Sequence, residues 1–519
     1  PEGTPLPPEL LEKLRGKLEA EPGARFDEST LDADEASLKR VLLDLGYARA
    51  TVKAEVTVDR VGHVADVSYH VTPGPLCRFG RVTLQGQQDL DSKVILDVAS
   101  IPTGKPFSQT ELSDAERAVY ALGTFTAVRA EIAKADPNDP VVDVVLHLTP
   151  GRRRTFRIGV GVMSGVQTVG VTDELSAVPE WDVHLRASYR DDDFLGGMRR
   201  LRIEDRPRLI MLDSFPGLTK GDPHLGNMVD VKLEQPRFIE HRTVGFVNGN
   251  WDVGPDPFFG FFRHSVSSEL GVKRAFFGQR LQVSLGAAHD YYYITSDSHP
   301  PDVSDYRLPF VDEQVKLDLR NDAQRPRRGF YAASSMQQAL RLGGYGSWTY
   351  TRWLPEVRFY EPLPWRIVLA QRLAFGALFV QSHDSALDPT SAALGPQQYR
   401  LRGGGSNSNR GFAPGRLGDG VDGGTRRWEG SFEVRVPLGG DFGFVLFFDA
   451  GDVSRAPRVR LSHLNAATGF GLRYFSAFVP VRLDLGWRIP GWQVIGGNEP
   501  KVDVGVLPSA AHLTIGEAF

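Results

Sequence analysis

The residues in this sequence best placed to do chemistry are charged groups set in glycine-rich or aromatic surroundings. The stretch Gly403-Gly404-Gly405-Ser406-Asn407-Ser408-Asn409-Arg410-Gly411-Phe412 is the clearest case. Three glycines followed by Ser and Asn favour positive φ and tight turning, so the stretch reads as a loop. Its tip carries Arg410, whose guanidinium keeps its proton everywhere and needs a carboxylate partner wherever it is enclosed, preferably in two-pronged geometry. Two acids downstream are candidates. Alternation in Phe432-Glu433-Val434-Arg435-Val436 sets Glu433 on the face opposite the apolar residues. In Phe444 to Gly451 the even positions are apolar, which puts Asp449 on the other face. A carboxylate in so aromatic a strand demands a cation. Arg410 can supply it, and so can Arg473 or Arg435.

Other chemistries fit poorly. The glycine-rich loop lacks the Gly-Lys-Ser/Thr of a phosphate cradle and opens no helix, and there is no Gly-x-Ser-x-Gly elbow. The twelve His show no ligand spacing, and Cys77 is the only cysteine, so neither a thiolate metal site nor an internal disulfide can form. Asp191-Asp192-Asp193 reads as a solvated turn. No cofactor, metal or catalytic residue is expected, and a net charge of -4 argues against a nucleic-acid surface.

The elements that must hold the loop fall into two parts. Residues 1–151 contain a repeat: Asp66-Val67-Ser68-Tyr69-His70-Val71-Thr72-Pro73-Gly74 returns 77 positions on (143 minus 66) as Asp143-Val144-Val145-Leu146-His147-Leu148-Thr149-Pro150-Gly151. Each copy follows a helical pattern and an alternating strand. In the second, Leu112, Ala115, Val119 and Leu122 have helical spacing, Gly123 stops the helix, and Val128 to Ile132 alternates. The unit is expected to run strand, helix, helix, strand, strand, opening at Phe79. The first copy lacks its opening strand, which places the missing piece upstream of Pro1. A small sheet with helices on one face leaves an edge able to accept an extended peptide. A plain spacer is the alternative use of such a unit. Domain bounds of 1–75 and 76–151 follow. The unit, with its Val-x-Pro-Gly followed by Phe79-Gly80 and Gly86, resembles the polypeptide-transport-associated (POTRA) domain.

From residue 152 to 519 helical periodicity is absent. No run of 18 apolar residues occurs, so no transmembrane helix is expected, while 55 Gly and 35 Pro suit a chain of many strands and turns. Val481, Leu483, Leu485 and Trp487 alternate with Arg482, Asp484, Gly486 and Arg488; Phe470, Leu472 and Tyr474 alternate with Gly469, Gly471 and Arg473. A soluble sandwich alternates too, but a membrane barrel turns its apolar face to lipid and its charges to the lumen. Sixteen such segments can be marked, at about 155–164, 180–191, 197–206, 227–238, 241–253, 260–274, 279–294, 309–321, 330–342, 348–361, 365–380, 427–438, 442–453, 467–476, 479–489 and 512–519. An even count of strands near the length a tilted crossing needs favours a closed transmembrane antiparallel β-barrel. Glu361 to Pro364 and Pro437 to Asp441 are tight turns, whereas 381–426 forms one long connection that holds the glycine-rich stretch and is long enough to fold back inside.

The ordered set of Gly-Gly-x-Ser-Asn-Ser-x-Arg-Gly-Phe, Phe447-Phe448-Asp449-Ala450-Gly451-Asp452-Val453, Gly469-Phe470-Gly471-Leu472-Arg473-Tyr474, Val481-Arg482-Leu483-Asp484 and a terminal aromatic resembles the BamA/TamA superfamily of outer-membrane assembly and translocation barrels. Asp318-Leu319-Arg320-Asn321-Asp322 followed by Pro326-Arg327-Arg328-Gly329 does so too. The resemblance implies a 16-stranded barrel in the bacterial outer membrane, with POTRA domains in the periplasm. It implies that the Arg410-Gly411-Phe412 tip tucks into the lumen against Glu433 and Asp449. Asn409 stands where the family usually has an aliphatic residue. The last segment implies a β-signal at Leu513, Ile515, Gly516 and Phe519, in the strand that closes the barrel, with Glu517 near the membrane surface. The partners implied are the lipid bilayer, unfolded outer-membrane protein clients, and an inner-membrane or lipoprotein partner reached through the POTRA domains. The form of the loop favours a TamA-like insertase working through a seam between first and last strands. A two-partner-type secretion pore, passing its client through the lumen, is the alternative, and a diffusion porin is disfavoured by the repeats.

Overall fold

The structure is a computed structural model that describes residues 7–20, 22–23, 26, 28–133, 138–168, 175–212, 222–296, 299–300, 302–419, 422–475, 480–495 and 509–515. The chain divides into two compact units, the first made of the residues up to Arg153 with Leu195–Met198 and Ile239–Arg242, the second of Arg154–Phe194, Arg199–Phe238 and the residues from Thr243 on.

The first unit holds both repeats. The first repeat consists of α1 (Pro8–Arg15), α2 (Glu28–Asp44), β1 (Thr51–Asp59) and β2 (Val64–Thr72), the two strands forming an antiparallel pair. Leu10, Leu14, Leu38, Leu42, Ala50 and Val52 make its core. Buried Asp34 of α2 ties the segment after α1 to the sheet, accepting from the Glu19 and Ala20 amides at 2.6 and 3.1 Å and from the Tyr69 hydroxyl at 2.8 Å. The second repeat is complete: β3 (Arg78–Gln85), α3 (Ser92–Ala99), α4 (Gln109–Tyr120), β4 (Phe125–Ile132) and β5 (Val141–Pro150). Its sheet order is β3-β5-β4, with β3 parallel to β5. Ser108 caps α4 from the position before its first turn, with Glu111 three residues on, and α4 buries Leu112, Ala115 and Val119. Asp44 at the end of α2 accepts from the Ser108 hydroxyl and the Thr110 amide, and the Cys77 amide donates to the Gly46 carbonyl, so the two repeats are joined by bonds as well as by chain.

The second unit is one antiparallel sheet of sixteen strands paired in chain order. They are β6 (Arg154–Thr168), β7 (Leu175–Asp191), β8 (Arg200–Met211), β9 (His224–Pro236), β10 (Thr243–Pro255), β11 (Phe262–Phe276), β12 (Leu281–Ile294), β13 (Tyr306–Asp318), β14 (Gly329–Ala339), β15 (Trp348–Pro362), β16 (Val368–His383), β17 (Arg426–Gly439), β18 (Phe442–Ser454), β19 (Ala467–Phe475), β20 (Pro480–Arg488) and β21 (Ser509–Ile515). Each of the sixteen segments marked in the sequence overlaps one of them. Burial is inside out. Ile158 and Val160 are 75% and 81% exposed on the outer face, whereas Arg473, Arg482 and Asp484 are at most 1% exposed. A sandwich would bury the first pair and wet the second, so the sheet is a membrane-spanning barrel.

Asp191, Asp192 and Asp193 correct the sequence reading. They are buried: Arg154 Nε donates to Asp191 at 2.9 Å and Arg190 Nε to Asp192 at 2.6 Å. The Arg154–Asp191 pair is set by the register of β6 against β7 and is invisible to a local reading, whereas Arg190 reaches Asp192 from two residues away. The long connection, 384–425, also contains structure of its own, a one-turn helix α5 (Pro389–Ala392) and a 3-10 turn at Gln397–Tyr399.

Candidate functional site in the barrel lumen

The sheet register builds the site before the loop enters it. Glu433 of β17 pairs across to Phe447 of β18, Phe447 to Gly469 of β19, Gly469 to Gly486 of β20, and Gly486 to Ala510 of β21. One row therefore runs acid, aromatic, glycine, glycine on the inner face. Asp449 lies two residues from Phe447 on that face, opposite Ser431.

Arg410 lands on this row. Its Nε and Nη2 both donate to Asp449, each at 2.9 Å, its amide donates to the same carboxylate at 3.0 Å, and its Nη1 donates to Glu433 at 2.5 Å. The guanidinium carbon sits 3.6 Å above the Phe447 ring. The arrangement satisfies the two-pronged geometry an enclosed arginine requires, with the ring face adding attraction. Arg435 donates to the second Glu433 oxygen at 2.8 Å, so that carboxylate bridges two arginines. Arg473 pairs with Asp484 at 2.7 Å instead of competing for Asp449.

The rest of the tip is held as closely. A side-chain carbon on Gly486 would lie 2.3 Å from the Arg410 carbonyl oxygen, so glycine at 486 is a condition of the approach. Gly411 has the same constraint, its absent Cβ falling 2.4 Å from that of Ala467. Asn409 donates to the Asn465 carbonyl at 2.7 Å and accepts from the Gly411 amide at 3.1 Å, two bonds that an aliphatic residue could not make. Phe412 packs with Leu417 and Val453, and Arg488 covers its ring at 4.4 Å. Gly404 and Gly405, both at φ +92°, return the chain to the wall.

The tip also reaches the last strand. His512 Nε2 lies 3.2 Å from the Arg410 carbonyl, and Arg482 donates both to Thr514 of β21 and to Asn407 of the loop. Leu513 and Ile515 occupy β21, in register with Leu483 and Val481; Gly516, Glu517 and Phe519 lie outside the described residues. Phe447, Gly486, Asn465 and His512 take part without having been singled out from sequence. For Phe447 the signal was available, since it shares the parity of Asp449.

Among the described residues no cluster of His, Cys, Asp and Glu could hold a metal ion. The arrangement is a buried electrostatic clasp that pins a long loop inside a membrane barrel preceded by two α+β repeats, the build of an outer-membrane assembly or translocation barrel. Comparison with known families agrees. The Omp85 superfamily domain matches residues 262–500, and the POTRA family, described as a surface antigen variable number repeat, matches 11–74 and 77–151. The chain belongs to the Omp85 superfamily. Its members are assembly or transport proteins of the bacterial outer membrane, and the chain's general role is outer-membrane protein assembly or secretion.

Among solved structures the chain is similar to BamA from Haemophilus ducreyi lacking POTRA domains 1–3, at 15% identity and a TM-score of 0.56 over 98% of both chains. It is similar as well to CdiB from Acinetobacter baumannii, at 13% identity and 0.54 over 93% of this chain and 83% of that one. CdiB from Escherichia coli matches at 14% and 0.54, over 98% and 87%. At such identity these likenesses speak to fold alone. No curated protein matches the sequence.

Proposed function

We propose that the chain is an outer-membrane protein assembly factor of the TamA-like kind. It receives unfolded client proteins through its POTRA domains and inserts them through a seam between β6 and β21. The observation that carries the reading is that β6 and β21 are the two ends of the sheet, and among the described residues neither is paired with the other. Two such edges leave backbone donors and acceptors free for an incoming strand, and strand addition is the mode by which sheets bind extended peptides. A two-partner secretion pore, which shares two POTRA units and the Arg-Gly-Phe loop, is the alternative, and the Gly-Gly-x-Ser-Asn-Ser form of the loop favours the insertase over it. On this reading Leu513, Ile515, Gly516 and Phe519 act as the chain's own assembly signal, and the POTRA domains dock clients together with an inner-membrane or lipoprotein partner.

The test is the folding rate of a small unfolded barrel protein into liposomes with and without this chain. Acceleration supports insertion. Absence of acceleration combined with open-channel conductance in the same vesicles would replace the insertase by the secretion pore.

A further inference from the structure

The connection between β13 and β14, residues 319–328, is the longest of the described turns at the end of the barrel where the chain enters β6. It carries the Asp318 to Asp322 and Pro326 to Gly329 motifs, which the clasp does not use. Its root is rigid. Arg320 grips Asp318 with two bonds of 2.8 and 2.7 Å and lies 4.8 Å over the Tyr331 ring, whose environment also includes Arg358 at 4.7 Å. Tyr331 lines a lumen cavity of about 600 Å³ beneath the clasped loop. Further along, Asp322 accepts from the Gln324 and Arg325 amides, and Asn321 from the Arg327 and Arg328 amides, fixing the turn's shape.

The far end of this turn touches a distant wall. The Arg325 guanidinium carbon lies 4.5 Å from the centre of the Phe475 ring, at the end of β19. Phe475 has the inward parity of Arg473. β14 and β19 are five strands apart in the ladder, so at about 4.8 Å per strand at least about 24 Å of wall separates them. No arginine side chain bridges that along the rim; the turn must lean across the opening.

We propose that the 319–328 turn is a crossbar over the periplasmic mouth of the barrel, latched by Arg325 on Phe475, which bars polypeptide from the lumen on that side. The inference does not depend on how clients are inserted. It assigns the mouth a closure separate from the Arg410 clasp and gives the family-like turn motif a mechanical role: Asp318 and Arg320 anchor it, and Arg325 latches it.

Two measurements on the full chain in nanodiscs test it. Arg325→Cys with Phe475→Cys should cross-link within one chain through a short bifunctional maleimide, with Cys77 silent because it is buried. Separately, Ser335→Cys in the lumen cavity should react with a bulky polyethylene-glycol maleimide about threefold faster when Arg325→Ala and Phe475→Leu are added, the expected effect of losing one exposed cation–π latch. Heat-modifiable migration of each variant establishes that the barrel is folded. Failure of the pair to cross-link in folded protein, or equal Ser335→Cys reactivity with and without the latch, overturns the crossbar.

Discussion

Arg410→Ala removes a guanidinium that donates two bonds to Asp449 and one to Glu433, while both carboxylates stay in the wall. Breaking a buried pair by deleting one partner costs about 3–5 kcal/mol, because the remaining charge is left uncompensated. The two acids do not suffer equally. Glu433 keeps Arg435 at 2.8 Å, so the burden falls on Asp449 and the lower end of the range, about 3 kcal/mol, applies. At about 1.4 kcal/mol per decade that is a shift of about a hundredfold in the equilibrium between docked and released loop. Hydrogen exchange by mass spectrometry reads it directly, since release exposes loop amides without unfolding β17 and β18. Peptides covering 403–412 should exchange about a hundredfold faster in Arg410→Ala, with the flanking strands unchanged. Arg410→Lys keeps the charge but loses the fork, and should recover only part of the protection. Unchanged exchange at 403–412, or an equal rise throughout the strands, would refute the clasp as the force holding the loop.

Gly486→Val should release the tip as effectively as Arg410→Ala, since its side chain would occupy the place of the Arg410 carbonyl; the same exchange measurement checks it. Asp34→Ala in the first POTRA repeat removes the acceptor for two amides and a hydroxyl and should cost about 3 kcal/mol locally, seen as lost protection at Glu19 and Ala20. The Tyr69 hydroxyl is pushed up to about 12 by burial and by Asp34 beside it. A raised folded pKa means that its contribution to stability is present below the ordinary value near 10 and is lost as pH rises toward 12. The ring-carbon resonance of Tyr69 should therefore titrate near 12, moving back toward 10 in Asp34→Ala.

Much of this arrangement could be read in the sequence because a barrel strand declares its two faces. Period-two alternation in 432–436 and 444–451 was enough to put Glu433 and Asp449 on one side, and three glycines with Ser and Asn were enough to mark the loop. What alternation does not contain is the register between strands. The row from Glu433 through Phe447 to Gly469 and Gly486 exists only after four strands are aligned, so parity could turn Phe447 inward but neither its place beneath Arg410 nor the glycine floor was legible. The same gap explains Asp191 to Asp193, whose arginine partners include Arg154, far from them in sequence. Asn409 is the opposite case. Its effect is local, one bond to Gly411 and one to Asn465, but a family expectation of an aliphatic residue gave no reason to look for it.

The central claim is that the seam between β6 and β21 opens to admit a client strand. Its most direct test places Val160→Cys in β6 and Ala511→Cys in β21, both on the outer face, and bridges them with a cleavable bifunctional thiol reagent in liposomes that contain the protein. Client folding should be accelerated before bridging, fall to the rate of empty liposomes when the seam is bridged, and recover on cleavage. Acceleration that persists with the seam bridged would contradict the account.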